Sequence, residues 1–354
     1  MKEFKNYLRV LLTLLTLLTF NLSFAQEDNT KYIDPTIGNV SRFLVPTYPT
    51  IHLPNQMLRM FPVKQDYISD MVQAFPFQVT AHRRPGILQM KTTLGEVKHQ
   101  SWNKGMVIDH DLEKVHPWLY STYLIEDDIK VSFAPSKKSA IYKVDFPKGK
   151  QKNFLIKGTK DMQFSEGKNT FTIQEKRSKS TKGEHAIINT ITVYVYGEIV
   201  DGNNKPIDNI SYIFNANKLQ ITADKTTPAT LYIKYAISYV SATQAKENFK
   251  KELKNKSFDG ISEEGKKAWD NVTNQIQVEG GTTAQKRTFY TSLYRTYERM
   301  VDVNEFGHYY SGYDKQVHKS NRPFYVDDWV WDTYLAQHPL RTILNPALEN
   351  EMLN

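Results

Sequence analysis

Residues 324–333 read Phe-Tyr-Val-Asp-Asp-Trp-Val-Trp-Asp-Thr, and Gln337-His338-Pro339-Leu340 follow. Two Trp, two further aromatics and three carboxylates fall within these ten residues. Flat rings beside carboxylates suit a sugar: the ring covers the apolar C–H face while the carboxylates accept hydrogen bonds from hydroxyls. The competing reading is an amphipathic helix start, with Trp in the core and Asp in the first turn, where the helix dipole favours it. Trp331, Asp332 and Asp328 are the candidates on either reading, and this segment alone does not separate the two.

The elements that must position them differ along the chain. From about Tyr32 to Tyr239 the texture is that of strands, β-branched and aromatic with partial alternation, as in residues 121–125, 130–133, 139–144, 188–196 and 230–237. Breaks such as Pro147-Lys-Gly and Asp201-Gly-Asn-Asn separate them, and many short strands at this spacing predict an antiparallel β-sandwich. The Pro-rich stretch 45–62 reads as an extended loop. After Ser241 the chain turns helical. Residues 243–253 carry Ala245, Phe249 and Leu253 at four-residue spacing, and 261–276 continue in the same manner around Trp269. Thr282 or Thr283 caps a helix from Ala284 to about Met300, with Phe289, Leu293 and Tyr297 on one face. Residues 302–319 read as a Gly/Tyr/Asp-rich loop, and a further helix runs from near Trp329 towards Leu344.

Composition narrows the partner. The chain has 354 residues, a formal charge of +8 and no Cys, so no disulfide framework is available. Lys is interspersed with Asp and Glu, the pattern of a solvated surface rather than a nucleic-acid groove. Neither a P-loop nor a dinucleotide glycine fingerprint occurs. Residues 1–25 combine a basic start (Lys2, Lys5, Arg9), an apolar run and small residues at Ser23 and Ala25. They predict a cleavable secretory signal, an address in the periplasm or outside the cell, and no membrane association after cleavage. An uncleaved anchor is the alternative, although the apolar run is short for a span. His308 and His318 lack a metal-ligand spacing, so no zinc site is read there.

Four ordered motifs carry a resemblance: Val278-Glu-Gly-Gly, then Gln285 with Phe289-Tyr-Thr-Ser-Leu-Tyr, then the Tyr310-Ser-Gly-Tyr-Asp-Lys-Gln-Val-His loop, then Trp331-Asp-Thr with His338-Pro-Leu. Together with the Tyr32-Ile-Asp-Pro-Thr-Ile-Gly opening, the chain resembles glycoside hydrolase family 92, the exo-acting α-mannosidases. The resemblance implies an N-terminal β-sandwich (26–240), linker helices (241–282) and the first helices of an incomplete (α/α)6 barrel (283–354). It further implies calcium-dependent inverting hydrolysis of α-mannosides of N-glycans or mannan, with Ca²⁺ as cofactor and a mannose-containing glycan as partner. In that family the catalytic acid, the base and most metal ligands lie on later barrel helices. They are therefore expected beyond Asn354, and no catalytic role is assigned here. A complete, non-catalytic carbohydrate-binding protein is the alternative.

By the same resemblance Asp332 accepts hydrogen bonds from the terminal mannose, and Trp331 shapes the same pocket or packs in the core. His82 falls where a sandwich loop faces the sugar, with a structural His as the competing reading. Arg83 and Arg84 read either as an anion site or as surface charge. Asp327 and Asp328 carry over less well. The segment after Gly38 departs from the Gly- and His-rich family pattern, with Arg42 and His52 as substitutes, which implies a divergent subgroup. The resemblance says nothing of oligomeric state.

Overall fold

In the strand Lys218–Ala223, Leu219, Ile221 and Ala223 are buried while Lys218, Gln220 and Thr222 turn outward, a period of two that gives a sheet one dry face. The computed structural model that shows this describes residues 28–353 apart from 42, 44–45, 81–85 and 181–187. The expected export signal and the candidates His82, Arg83, Arg84 and Arg42 lie outside the described residues. No described helix is long and apolar enough to cross a membrane.

Two antiparallel sheets stack their dry faces. The larger has eight strands in the order Gln163–Gly167, Thr170–Ser180, Ile188–Val200, Thr230–Ser238, Ser139–Asp145, Ile129–Pro135, Leu119–Leu124 and Lys114–His116. The smaller has five: Ile210–Asn215, Lys218–Ala223, Lys152–Lys157, Ile87–Leu94 and Phe75–Gln78. Phe75, Phe77, Phe133, Tyr142, Phe154 and Tyr235 fill the space between them. Two buried phenols are satisfied across it: Tyr142 donates to the Pro76 carbonyl (2.6 Å) and Tyr235 to that of Phe77 (2.7 Å).

Helices then pack on the larger sheet and beside it. In α1 (Ala242–Leu253), capped by the Ser241 hydroxyl, Ala245, Phe249 and Leu253 bury against Ala134, Ile141, Tyr196 and Ala236. In α2 (Phe258–Thr273) and α3 (Thr283–Thr296), Trp269, Tyr290, Leu293 and Tyr294 form a second cluster with Ile33 and Trp118. Thr282 and Gln285 make the capping box that opens α3. Glu305 ties the following turn to this frame. Its oxygens accept from the Tyr239 amide (2.7 Å) and the Asn248 side chain (2.9 Å), and burial pushes its carboxyl up.

Several expectations change. The inward face of α3 runs through Tyr290, Leu293, Tyr294 and Tyr297, while Phe289 is 37% exposed. Phe289 follows the four-residue step, yet Tyr290 meets the neighbouring helix. The stretch 45–62 contains a two-residue ladder, Ile51–His52 with Arg59–Met60. The stretch 302–319 holds another, His308–Ser311 with Gln316–Lys319. The single helix expected from Trp329 to Leu344 is two: a turn, α4 (Val330–Thr333), then α5 (Gln337–Leu344), followed by α6 (Pro346–Leu353). A continuous helix would set the Pro339 ring against the carbonyl of Leu335. The break places Pro339 in a first turn, where its missing N–H costs nothing. These helices form no closed barrel among the described residues.

Candidate functional site at the junction of sheet and helices

Segment 324–333 is held from both sides. Its strand Tyr325–Val326 pairs with Val301–Asp302. The Asp302 amide donates to the Asn55 carbonyl (2.8 Å), and the Asn55 side chain donates to the carbonyls of Arg299 (3.0 Å) and Met300 (2.8 Å). The junction is thus hydrogen-bonded to the sandwich rather than merely resting on it.

Each carboxylate meets a different neighbour. Asp327, at a positive φ of 69°, accepts from both ends of the buried Arg59 guanidinium (3.3 and 3.4 Å). Arg59 also donates to the carbonyls of Thr80 (3.0 Å) and Glu298 (3.2 Å). Asp328 accepts from the Thr333 hydroxyl (2.8 Å) and lies 3.3 Å from His338 Nε2. His338 Nδ1 lies 2.5 Å from Glu349, whose second oxygen accepts from Arg341 (3.3 Å). Arg341 in turn donates to the carbonyls of Thr296 (3.1 Å) and Arg299 (3.0 Å). Asp327 and Asp328 are therefore occupied in holding the segment.

Asp332 is not. Its side chain is 60% exposed, with the Arg299 guanidinium 3.9 Å away. That guanidinium lies 5.0 Å from the centre of the Trp329 ring, a cation–π distance, and burial lowers its pKa despite Asp327, Asp332 and Glu298 around it. Trp329 is 49% exposed and Trp331 86%. The core reading of Trp331 is corrected: its ring stands in water. An exposed ring and an open carboxylate within one segment, with the Arg299 guanidinium beside them, suit a hydroxylated ring.

His52 does not join them. It is fully buried, 5.3 Å from Trp269 and 5.4 Å from Tyr294, with Nδ1 2.9 Å from the Leu53 carbonyl. Burial pushes its imidazole down to about 4. It is a core histidine and lines no sugar pocket. His318 pairs with Asp314 (2.7 Å) in the 308–319 hairpin. Calcium needs six to eight oxygen ligands, and the described residues bring no three His, Asp or Glu side chains together at metal-binding distance. The described residues alone assemble no such site, and the family resemblance places most of the ligands on later barrel helices. Arg59 and Arg299 escaped the sequence reading. Arg59 sits in a Pro-rich stretch without periodicity, and the only signal for Arg299 is its four-residue step from Arg295.

A β-sandwich joined to helices, with an exposed aromatic–carboxylate segment at the joint, defines a two-part architecture. The family model for the glycosyl hydrolase family 92 N-terminal domain matches residues 32–248, and that for the family 92 catalytic domain matches 244–354. The chain belongs to glycosyl hydrolase family 92. Among solved structures it is similar to the family GH92 inverting mannosidase BT2199 of Bacteroides thetaiotaomicron (TM-score 0.75, 23% identity, 89% of this chain and 46% of that one). It is also similar to the α-mannosidase BT3965 of the same organism (TM-score 0.73, 19% identity, 89% and 47%). A third is the family GH92 glycosyl hydrolase ccman5 (TM-score 0.76, 17% identity, 92% and 48%). At these identities the likeness is one of fold, and the chain spans about half the length of each. No curated protein matches.

Proposed function

We propose that this chain is the sandwich and sugar-holding part of a calcium-dependent, inverting exo-α-mannosidase acting on α-mannosides of N-glycans or mannan, exported after cleavage behind Ala25. The observation that carries the reading is the exposed Trp331–Asp332 pair at the sandwich–helix junction of a family 92 chain. Asp332 accepts from sugar hydroxyls, Trp331 covers the C–H face, and Arg299 donates from beside Trp329. Inversion needs a general acid and a water-activating carboxylate far enough apart to admit that water. No described carboxylate is assigned either role, and calcium rests on the family alone.

The test is titration of methyl α-mannoside and α-mannobiose into the protein carrying this chain, followed by NMR of any product. Asp332→Asn is expected to weaken mannoside binding at least tenfold, since a hydrogen bond to a charged group contributes about 1.5–3 kcal/mol. Released mannose should appear first as the β-anomer, and EDTA should stop its release. Protein without residues 1–25 recovered outside the cytoplasm would support export. Absence of both binding and release overturns the reading. Binding without release favours a non-catalytic carbohydrate-binding protein, the reading suited to a segment whose other two carboxylates are spent on Arg59 and Thr333.

A further inference from the structure

On the outer face of the five-stranded sheet, far in sequence from the junction segment, lies a short helical turn (His99–Trp102). The buried Lys91 holds it there by donating to the Lys104 carbonyl (2.5 Å). Between this strap and the sheet is a cavity of about 170 Å³, room for one monosaccharide ring. Its apolar parts are Trp102 and the buried Leu155, and its polar parts are the amides of Gln73, Gln89 and Asn103 with the ammonium groups of Lys91 and Lys157. These three amides make no side-chain hydrogen bond among the described residues, so donors and acceptors of both kinds stand open around an aromatic ring.

The charge pattern is one-sided. Lys157 is the direct cross-strand partner of Lys218, and the Lys218 ammonium lies 5.3 Å from the centre of the Trp102 ring. Like charges placed opposite on neighbouring strands destabilise a sheet. No carboxylate lines the cavity to offset them. Burial, then the charge of Lys157, pushes Lys91 down to about 8, and the nearby Glu126 and Asp127 line the adjoining hollow that also includes Lys91, not this cavity. Such an arrangement suits a ligand that brings an anion, since charge-assisted hydrogen bonds are the stronger kind.

We propose that this cavity binds a saccharide ring carrying a single negative group, phosphate or carboxylate. The C–H face of the ring lies on Trp102, its hydroxyls meet the three amides, and its anion meets Lys157 and Lys91. The site is independent of Asp332 and of the mannosidase reading.

The experiment is calorimetric titration of the full chain with mannose 6-phosphate, glucuronic acid, mannose and inorganic phosphate. At least one of the two charged sugars should bind tenfold or more tighter than mannose and than inorganic phosphate, and which one it is identifies the anion. Trp102→Ala and Lys157→Glu should each weaken that binding tenfold or more, and Asp332→Asn should leave it unchanged. Lys157→Glu should also raise the melting temperature, because it pairs with Lys218; if Trp102→Ala does not fold, this variant decides. Failure of both charged sugars to bind, equal binding of mannose or of phosphate alone, or full binding by Lys157→Glu overturns the proposal.

Discussion

Asp327 accepts from Arg59, Asp328 from Thr333 while facing His338, and Asp332 stands in water 3.9 Å from Arg299. One functional group thus serves two structural purposes and leaves one position open for a ligand, and neighbours rather than residue type decide which. The same contrast separates the histidines. His52 has no partner on Nε2 and is held neutral by burial, its pKa about 4 against 6.5 for an exposed imidazole. Because the folded pKa is depressed, the unfolded chain takes up the proton first. The neutral His52 therefore contributes stability that is fully present above pH 6.5 and is lost as the pH falls from 6.5 to 4. The full effect is about 3 kcal/mol by linkage. Carboxylates titrate in the same range, so the measurement is a comparison. In urea unfolding at pH 7 and pH 4.5, His52→Phe should lose less stability on acidification than the wild type, and an equal loss would contradict the buried neutral state.

The elements that signal themselves locally were legible in the sequence. Thr282, one of the two caps the residue pattern offered, opens α3, Ser241 caps α1 where the pattern marked only the change to helix, and Ala245, Phe249 and Leu253 lie on one buried face as their spacing implied. Removing the α3 cap by Thr282→Ala should cost about 1 kcal/mol. Leu293→Ala, inside the cluster of Trp269 and Tyr294, should cost about 2–5 kcal/mol. Both are read from chemical denaturation midpoints, and a Leu293→Ala cost as small as that of the cap would mean that α3 is not packed. Leu293 is buried and Leu340 packs on the same cluster. What was not legible depends on distant partners. The ladder of Ile51–His52 with Arg59–Met60 has too few residues to show a period, and Arg59 gains its meaning only from Asp327, 268 residues away. The junction segment was half legible: its residue types suggested a sugar platform, but the break before Gln337 follows from Pro339, whose effect on helix register the apolar pattern hid.

Across the whole molecule, apolar exposure is uneven. The sheets bury their large side chains between them, whereas Val330, Trp331, Tyr334 and Leu335 follow one another around α4 largely in solvent, and Ile343 and Leu353 are exposed on the two helices beyond. Apolar groups gathered this way favour association, and each such side chain withdrawn from water is worth about 1.5–3 kcal/mol. The net charge of +8 opposes contact between copies at low ionic strength, and salt screens that repulsion. Self-association through this region should therefore increase with salt, the reverse of an assembly held by ion pairs. Light scattering at 50 and 500 mM NaCl should show growth in the wild type at the higher salt. The double variant Leu335→Ser, Ile343→Ser should stay closer to the monomer, with its melting temperature within a few degrees of wild type because neither side chain is buried. Association that weakens with salt, or that persists in the double variant, would place the contact elsewhere on the surface.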